Sequence, residues 1–311
     1  DRQGLSLEDN DHQKFHKEGR LPYWRFKLIH EEVSWVDMVR GDCTYDMKSL
    51  SDPVIMREDG RPIYTLASVV DDIDHNISHI IRGEDHVTNS AAQIQLFKAL
   101  GGKVPELGHL SLLAGSEGEG LSKRLGSLNL GELKQEGFES ITLSSLLAKI
   151  GTSDPMKVFI NTDELIKDFD LSKFSRNTAK FDSNDLYIMN KKSIQFMEFK
   201  EAKSRLTEIG LDINEEFWRT ISGNLNKLNE ARIWWDVVYG EIDPIIDNSN
   251  LIEKAIEFFP EKNLDNTSWG SWCKSISGNT DYKGRDLFIS LRKAITGFEY
   301  GPELSLSLIH I

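Results

Sequence analysis

Apolar residues near the start of the chain recur at every second position in short runs, the spacing typical of half-buried β-strands. Three such runs are present, at 21–29, 33–40 and 53–57. Gly41 and Asp42 form a turn signal after the second run, and Gly60 closes the third. We therefore predict a small β-rich unit, preceded by a polar segment over 1–18 whose composition fits a short helix.

The middle of the chain places a strand, a charged turn and a helix in succession. Residues 77–81 predict a strand, and apolar residues at helical spacing follow through 92–100. Thr88 or Asn89 is the candidate N-cap of that helix, and two glycines after Leu100 end it. A strand that leads through a charged turn into a helix is the place where a parallel α/β sheet binds ligands.

An apolar run over 63–70 precedes this arrangement, and its periodicity fits a buried strand as well as a helix. Asp71 and Asp72 follow it directly. We interpret this acidic pair mainly as the end of a strand, with metal or acid–base chemistry as the less favoured alternative.

After residue 126 the chain becomes helical in character. Residues 133–138 are amphipathic, and 140–150 and 162–169 show helical spacing. Further helices are predicted at 182–190, 192–208, 213–229, 231–239, 249–259 and 284–297. No strand signal is found from Asp182 onward, so the predicted fold class is α/β followed by all-α.

Composition narrows the class of protein. The chain has 311 residues, enough for two or three domains, and no run of eighteen apolar residues that would span a membrane. Its net charge of −13 argues against a protein that coats nucleic acid non-specifically, since phosphate binding relies on Lys and Arg. Cys43 and Cys273 form neither a disulfide framework nor a metal motif, which fits a reducing cytoplasm. The start at Asp1 without an initiator Met indicates a fragment or a processed chain.

A glycine-rich stretch over 115–127 holds two adjacent cations, Lys123 and Arg124. Glycines let such a loop adopt positive φ, and cations on it can stabilise charge that grows on a polyphosphate during reaction. The spacing is not that of the P-loop. Taken alone, a Lys-Arg pair in a glycine-rich loop is more often solvated surface.

Three stretches change that interpretation, namely Tyr64–Asp72, Ile77–Asn89 and the segment Gly120-Leu-Ser-Lys-Arg124. Together they resemble the second half of the catalytic domain of bacterial glutamyl-tRNA synthetases, which are class I aminoacyl-tRNA synthetases. The last stretch is similar to the second signature of that class, Lys-Met-Ser-Lys-Ser, with Gly120 in place of the first lysine. The resemblance continues to Gly297–Glu303 near the end of the chain.

The resemblance implies the second half of a Rossmann-like catalytic domain with part of its connective insertion, followed by helical stem-contact and anticodon-binding regions. The implied divisions are 1–62 for the acceptor-binding insertion, 63–125 for the catalytic half, 126–185 for stem contact and 186–311 for anticodon binding. The first class signature, His-x-Gly-His, is absent from this sequence. We therefore expect that the chain does not activate glutamate by itself.

The resemblance also implies an amino-acid pocket in which Arg82 binds the side-chain carboxylate of glutamate, with Tyr64 and His86 lining it. An arginine near a strand end can hold a carboxylate through two parallel hydrogen bonds. The alternative for Arg82 is a structural ion pair with Glu84 or Asp85. For the tyrosine and the histidine, the alternatives are core packing and ordinary solvation.

Lys123 is implied as the catalytic residue, which stabilises the phosphates of ATP while glutamate attacks and pyrophosphate leaves. Leu121, Ser122 and Arg124 would bind ATP beside it, and Asp85 would approach the ribose or the adenosine side of ATP. Mg2+ is expected to arrive with ATP, and no protein-bound zinc is expected.

The implied tRNA contacts are Lys191, Lys192, Arg232 and Trp235. Aromatic and arginine side chains can stack on RNA bases, and lysines can bind phosphates. The alternatives are a solvated helix face for the lysines and helix packing for the aromatic residue.

The implied function is that of a glutamate–tRNA ligase in protein biosynthesis. We expect ATP, L-glutamate and tRNA(Glu) as partners of a cytoplasmic monomer, without DNA or a membrane. One alternative is a glutaminyl relative, which carries β-barrels where this chain is helical. The other is a non-catalytic tRNA-binding module.

Overall fold

The computed structural model describes residues 2–115, 118, 129–260, 264–265 and 267–304. These residues fall into two compact units. The first comprises the described residues within Asp1–Ser122, Lys149–Pro155 and Phe169–Phe181. The second comprises those within Lys123–Ala148, Met156–Asp168 and Asp182–Ile311. The first unit is therefore assembled from separate stretches of sequence.

The described strands are short. They are β1 (Trp24–Arg25), β2 (Glu32–Asp37), β3 (Gly41–Asp46), β4 (Val54–Met56), β5 (His79–Gly83), β6 (Glu106–Leu110), β7 (Leu113–Ala114) and β8 (Ala179–Lys180). A four-stranded sheet has the order β3-β2-β6-β5, and the pairs β1-β4 and β7-β8 form two small sheets. β2 and β3 are antiparallel, whereas β6 pairs in parallel with both β2 and β5.

Three helices belong to the first unit, namely α1 (Asp9–Lys17), α2 (Tyr64–Asp74) and α3 (Val87–Ala99). Helix α3 connects the parallel strands β5 and β6 and is buried over most of its length. Its Ala91 and Ile94 belong to one apolar core with Leu107 of β6, and its Phe97 belongs to another with Val69 of α2. Burial of these side chains fixes both helices against the sheet.

The remaining helices are α4 (Leu130–Gln135), α5 (Ser140–Lys149), α6 (Thr162–Asp168), α7 (Ser183–Phe196), α8 (Phe199–Glu208), α9 (Glu215–Ile221), α10 (Ala231–Tyr239), α11 (Ser249–Glu257), α12 (Ser268–Asn279) and α13 (Gly284–Thr296). No strand occurs among the described residues after Lys180. Among the described residues, apolar cores form within two groups of these helices. One lies among α7 to α10, and the other among α11 to α13.

The mixed α/β fold followed by helices confirms the predicted fold class. The run over 63–70 is helical, since it forms most of α2. Asp71 and Asp72 lie near the carboxyl end of that helix, so their interpretation as a strand end is wrong. Burial raises the pKa of Asp72, and the nearby Arg82 lowers it less.

The first predicted strand is mostly irregular, because side chains bind its backbone instead of a neighbouring strand. The amide of Leu28 donates to Asp52, and the amide of Ile29 donates to Gln95. The turn predicted at Gly41 and Asp42 lies earlier in the chain, because both residues belong to β3. The sequence pattern did not predict this strand. The φ of +70° at Gly41 lets the chain enter this strand from the turn before it.

Several helix boundaries also differ from prediction. Helix α3 starts at Val87 after a short 3-10 turn, so neither Thr88 nor Asn89 is its N-cap. Helix α7 continues to Phe196 through the break expected near residue 191. Helix α12 was not predicted, because its serines and glycines are typical of a loop. The proposed four-part division of the chain stays a prediction.

No helix in the described ranges has the length and apolar character needed to cross a bilayer. The two cysteines, Cys43 and Cys273, are both free thiols.

We expect Leu206→Ala to lower the free energy of unfolding by about 2–5 kcal/mol, because this side chain of α8 is fully buried in the core formed by α7 to α10 and its loss leaves a cavity. Urea unfolding followed by circular dichroism would measure the change. Lys200→Ala on the same helix is the control, since that side chain is exposed. Equal unfolding midpoints for the two variants would contradict the assignment of this core.

Candidate functional site

Three strands of the four-stranded sheet end at one edge, and each contributes a polar residue there. Asp37 is the last residue of β2, Arg82 is the penultimate residue of β5, and His109 is the penultimate residue of β6. Arg82 and His109 are register partners in the parallel ladder. Because α/β proteins bind ligands at the carboxyl edge of parallel strands, this edge is the candidate site.

The guanidinium of Arg82 is held by four uncharged acceptors. Its Nη1 donates to the Tyr64 hydroxyl at 3.0 Å, and its Nη2 donates to Ser90 Oγ at 2.5 Å and Gln93 Oε1 at 2.7 Å. Its Nε makes a longer contact of 3.5 Å with Nε2 of His109. Since these partners come from α2, α3 and β6, the position of the guanidinium is fixed by the packing of the whole first unit.

A guanidinium carries five N–H groups, and the described residues accept four of those on Arg82. The fifth is on Nη1, beside the Tyr64 hydroxyl. That hydroxyl accepts from Arg82, so its own proton is available, and Tyr64 is 53% exposed. No carboxylate forms an ion pair with Arg82 within the described part of the chain. The arrangement offers a positive charge and two donors to an anion.

The alternative interpretation of Arg82 as half of a structural ion pair is wrong for the described residues. Glu84 instead binds Arg40, with 2.7 Å between Nη1 and Oε2. Asp85 lies nearest to His86, with 3.8 Å between the carboxylate and Nε2. The sequence pattern placed Arg82 just beyond the end of a strand. In the structure it lies within β5.

The predicted pocket residues Tyr64 and His86 are brought together with Arg82. Their rings meet edge to face with 5.5 Å between centroids, and Asn89 lies 3.2 Å from His86 Nδ1. Asp85 lies in the 3-10 turn between β5 and α3. A Cβ on Gly83 would come within 2.5 Å of the Asp85 carboxylate, so any other residue there would require the Asp85 side chain to move.

Behind Arg82 lies a buried chain of hydrogen bonds that sequence reasoning missed. Ser90 Oγ lies 2.8 Å from His109 Nε2, and His109 Nδ1 lies 2.5 Å from Asp37 Oδ2. Oδ1 of Asp37 accepts from the amides of Val39, Arg40 and His109. All three linked side chains are at most 2% exposed.

The charges of this buried pair follow from its surroundings. Burial raises the pKa of Asp37, but hydrogen bonds from the His109 ring and from three backbone amides outweigh it, so the pKa lies below its ordinary value. Burial lowers the pKa of His109 and outweighs the opposing effect of Asp37. The pair is therefore a carboxylate beside an uncharged imidazole at neutral pH.

The missed residues do leave a signal in the sequence. His109 is a lone histidine in an apolar segment, and Asp37 follows an alternating strand. Helix α3 carries Ser90 and Gln93 among apolar residues, and both are buried. A polar residue in a buried element needs a partner, so each of these positions indicates a hydrogen-bond network, although not its connections.

The predicted ATP contacts Leu121, Ser122, Lys123 and Arg124 lie outside the described residues, and their roles stay predictions. Within the described ranges, no group of three or more His, Cys, Asp or Glu side chains could hold a metal ion. The expected absence of zinc from the protein also stays a prediction.

The predicted tRNA contacts lie on two helices of the second unit. Lys191 is half-buried and Lys192 is exposed on α7. On α10, Arg232 donates to the carbonyl of Ile209, and Trp235 Nε1 donates to the carbonyl of Asp212. Arg232 also lies over the ring of Trp235. Both side chains bind backbone carbonyls of the same unit, so contacts within the protein explain their positions without RNA. A role in tRNA binding stays a prediction.

Comparison with known proteins places the chain in a family. The model of the family described as tRNA synthetases class I (E and Q), catalytic domain, matches residues 1–188. The chain therefore belongs to the class I tRNA synthetases of the E and Q group. Its curated relatives include glutamate–tRNA ligase 2 of Hyphomonas neptunium, which is 45% identical over 99% of this chain and 70% of that protein. Glutamate–tRNA ligase 1 of Maricaulis maris is 44% identical over 99% of this chain and 69% of that protein.

Solved structures support the same fold. A glutamate tRNA ligase from Elizabethkingia meningosepticum, solved in complex with its amino acid, superposes with a TM-score of 0.76 at 22% identity. The match covers 97% of this chain and 68% of that one. Glutamate-tRNA synthetase from Elizabethkingia anophelis gives a TM-score of 0.74 at 22% identity, covering 99% of this chain and 69% of the other.

The Asp37–His109 pair should make folding sensitive to acid. The pKa of His109 is lowered in the folded chain, so the unfolded chain binds a proton first as the pH falls below about 6.5. We expect this difference in proton binding to lower the free energy of unfolding by up to about 1.4 kcal/mol for each pH unit below that value. The decrease ends at the pKa of His109 in the folded chain. The lowered pKa of Asp37 adds a further loss only below its ordinary value of 3.8.

Urea unfolding at about pH 7.5 and about pH 5.5 would measure this dependence. His109→Gln should show a shallower fall in stability with acid than the wild type, whatever its absolute stability. His79→Gln, which changes an exposed histidine, should keep the wild-type slope. The same slope in all three proteins would show that His109 does not titrate differently on folding.

Proposed function

We propose that this chain carries the amino-acid site of a glutamate–tRNA ligase and that Arg82 binds the side-chain carboxylate of L-glutamate. One observation carries the proposal. The guanidinium of Arg82 is oriented by Tyr64, Ser90, Gln93 and His109, all uncharged, and is left without a carboxylate among the described residues.

Another arginine of the same chain illustrates the difference. Arg205 binds Glu139 through both Nη atoms, at 2.8 and 2.9 Å, and also contacts Glu201. Hydrogen bonding to Glu139 raises the pKa of Arg205, so its charge is already matched within the protein. Arg82 has no such match in the described part of the chain. Its neutral partners orient the guanidinium, and its positive charge remains available to bind an anionic ligand.

The same donors explain a preference for glutamate over glutamine. The unused N–H of Arg82 and the hydroxyl proton of Tyr64 both need acceptors. A carboxylate presents only acceptors, whereas the amide of glutamine brings an NH₂ group that repels a donor. A buried donor left unpaired costs binding free energy, so the wrong side chain binds more weakly. His86, whose ring contacts Tyr64, would close one side of the pocket.

The proposed reaction begins with attack of the α-carboxylate of glutamate on the α-phosphorus of ATP, which enters with Mg2+. Pyrophosphate leaves, which joins glutamate to AMP. The glutamyl group then passes to the 3′ end of tRNA(Glu), and AMP leaves. Lys123 and Arg124, with Leu121 and Ser122, would stabilise the charge on the leaving phosphates. Asp85, in the turn beside Arg82, would face the ribose of ATP.

The helical second unit favours a glutamyl over a glutaminyl enzyme, because the glutaminyl relative has β-barrels in the corresponding region. The described residues from α7 to α13 include no strand. We assign tRNA binding to this region, with Lys191, Lys192, Arg232 and Trp235 as proposed contacts. A cytoplasmic monomer that binds neither DNA nor membranes completes the proposal.

Arg82→Gln should raise the KM for glutamate about a hundredfold or more, because both the ion pair and a charge-assisted hydrogen bond to the substrate carboxylate are lost. Glutamate-dependent exchange of pyrophosphate into ATP by the full-length gene product measures this, with circular dichroism to confirm folding. Arg61→Gln is the matched control, since the Arg61 side chain is 83% exposed. An unchanged KM for glutamate in Arg82→Gln would disprove the proposed pocket. Binding of tRNA without any exchange activity would instead favour the non-catalytic module.

Lys192→Ala should weaken tRNA(Glu) binding and make it less dependent on salt. Removing one interaction between a lysine and a phosphate lowers the slope of log affinity against log salt by about 0.7–0.9. Filter binding over a range of salt concentrations measures the slope. Lys98→Ala is the control, because Lys98 is an exposed lysine on α3 of the first unit. If both variants keep the wild-type slope, Lys192 is part of a solvated helix face.

A further inference from the structure

Two buried side chains, Ser90 and His109, connect Arg82 to the buried carboxylate of Asp37. Asp37 is 2% exposed, and His109 and Ser90 are each 1% exposed. Buried polar groups cost free energy unless they are paired, and a buried charge costs more. Three backbone amides bind Asp37 and give it a structural role, but they do not account for the link that runs on through His109 and Ser90. The chain of hydrogen bonds needs an explanation in terms of what it does to Arg82.

The direction of every hydrogen bond in this chain is determined by its far end. An ionised carboxylate only accepts, so Nδ1 of His109 carries the proton that faces Asp37. In the uncharged ring Nε2 then has a lone pair, and the Ser90 hydroxyl donates to it. The lone pairs of Ser90 are thereby left for Nη2 of Arg82. All the protons point the same way, from Arg82 towards Asp37.

We propose that Asp37, His109 and Ser90 are positioning residues, which fix the direction of the Arg82 guanidinium for the carboxylate of its substrate. This inference rests on the proposed function of Arg82. It adds that the orientation of the guanidinium depends on the carboxylate of Asp37 on β2, which determines the tautomer of His109. Hydrogen bonds in such a chain polarise one another, so the three bonds act as one unit.

The groups facing His109 define what acid would do. Asp37 of β2 and Ser90 of α3 bind its two nitrogens, and Arg82 of β5 and Arg40 of the turn after β2 are the nearby cations. A protonated ring would donate from both nitrogens. Ser90 would then have to accept from His109 and donate to the carbonyl of His86, 3.3 Å away. Nε of Arg82, which lies 3.5 Å from His109 Nε2, would face a repelling cation. Glutamate binding should therefore weaken in acid through this path.

Asp37→Asn is the sharpest variant, because it keeps the size of the side chain. Its amide oxygen can still accept from the backbone amides of Val39 and Arg40, which leaves an NH₂ group facing His109. The imidazole must then carry its proton on Nε2, where it opposes Ser90 and Arg82. The effect of a wrong tautomer held in intact geometry is known from hydrolytic enzymes of the Ser-His-Asp type.

Nitrogen-15 NMR of the histidine rings in the full-length gene product tests the tautomer directly. His109→Gln identifies the resonances. We expect an uncharged ring with the proton on Nδ1 at about pH 7, and a proton on Nε2 in Asp37→Asn. A charged ring, or an Nε2 proton in the wild type, would overturn the proposal even if no variant folds.

Pyrophosphate exchange tests the consequence. Ser90→Ala and Asp37→Asn should each raise the KM for glutamate about ten- to hundredfold, with little change in the KM for ATP. Combining them should add little to either, because they break the same chain. The rise of the wild-type KM for glutamate in acid should disappear in Ser90→Ala. His79→Asn, at an exposed position of β5, is the matched control.

Comparison with Arg82→Gln separates the two hypotheses. If Arg82→Gln leaves the KM for glutamate unchanged, the proposed function of the pocket fails. If Arg82→Gln raises it while Ser90→Ala and Asp37→Asn stay within twofold of the wild type, the pocket stands and the positioning role is wrong. Equal rises in the KM for glutamate and for ATP would indicate a merely structural role and also overturn the inference.

Discussion

The buried carboxylate of Asp37 holds the site together. Its two oxygens accept from the amides of Val39, Arg40 and His109, from the imidazole of His109 and, at 3.3 Å, from Trp35. The ladder between β2 and β6 has a single registered pair at this point, Asp37 with Leu107. One side chain therefore does much of what a longer ladder would do. It joins the antiparallel hairpin to the parallel strands that carry the site.

This arrangement shows why a sheet edge can be both rigid and chemically available. The carboxylate of Asp37, which bears charge deep in the edge, accepts hydrogen bonds at both oxygens. The partners of Arg82 are polar but neutral, so its charge is not paired with an anion among the described residues. Because a low local dielectric strengthens electrostatic interactions, a cation fixed in this manner binds an anion more strongly than a mobile surface arginine would.

The sequence predicted the local elements of the site better than its connections. Periodicity identified the strand, the charged turn and the helix around Arg82, because each depends on residues close in sequence. Resemblance singled out Arg82, Tyr64 and His86, which the structure brings together. Asp37 and His109 are 72 residues apart, and their contact depends on which strands become neighbours. A single alternating strand contains no information about its partner, so this part of the site could not be derived.

The pairing of β7 with β8 has a consequence for how the protein is made. It joins Leu113–Ala114 to Ala179–Lys180, with α4, α5 and α6 between them in sequence. A ribosome releases β7 well before β8, so the first unit waits for its last strand while the intervening helices emerge. Domains generally fold as units, beginning with the N-terminal part of a growing chain. Here that order is interrupted, and cutting the gene after the glycine-rich stretch would yield a first unit with an unpaired edge, exposed to aggregation.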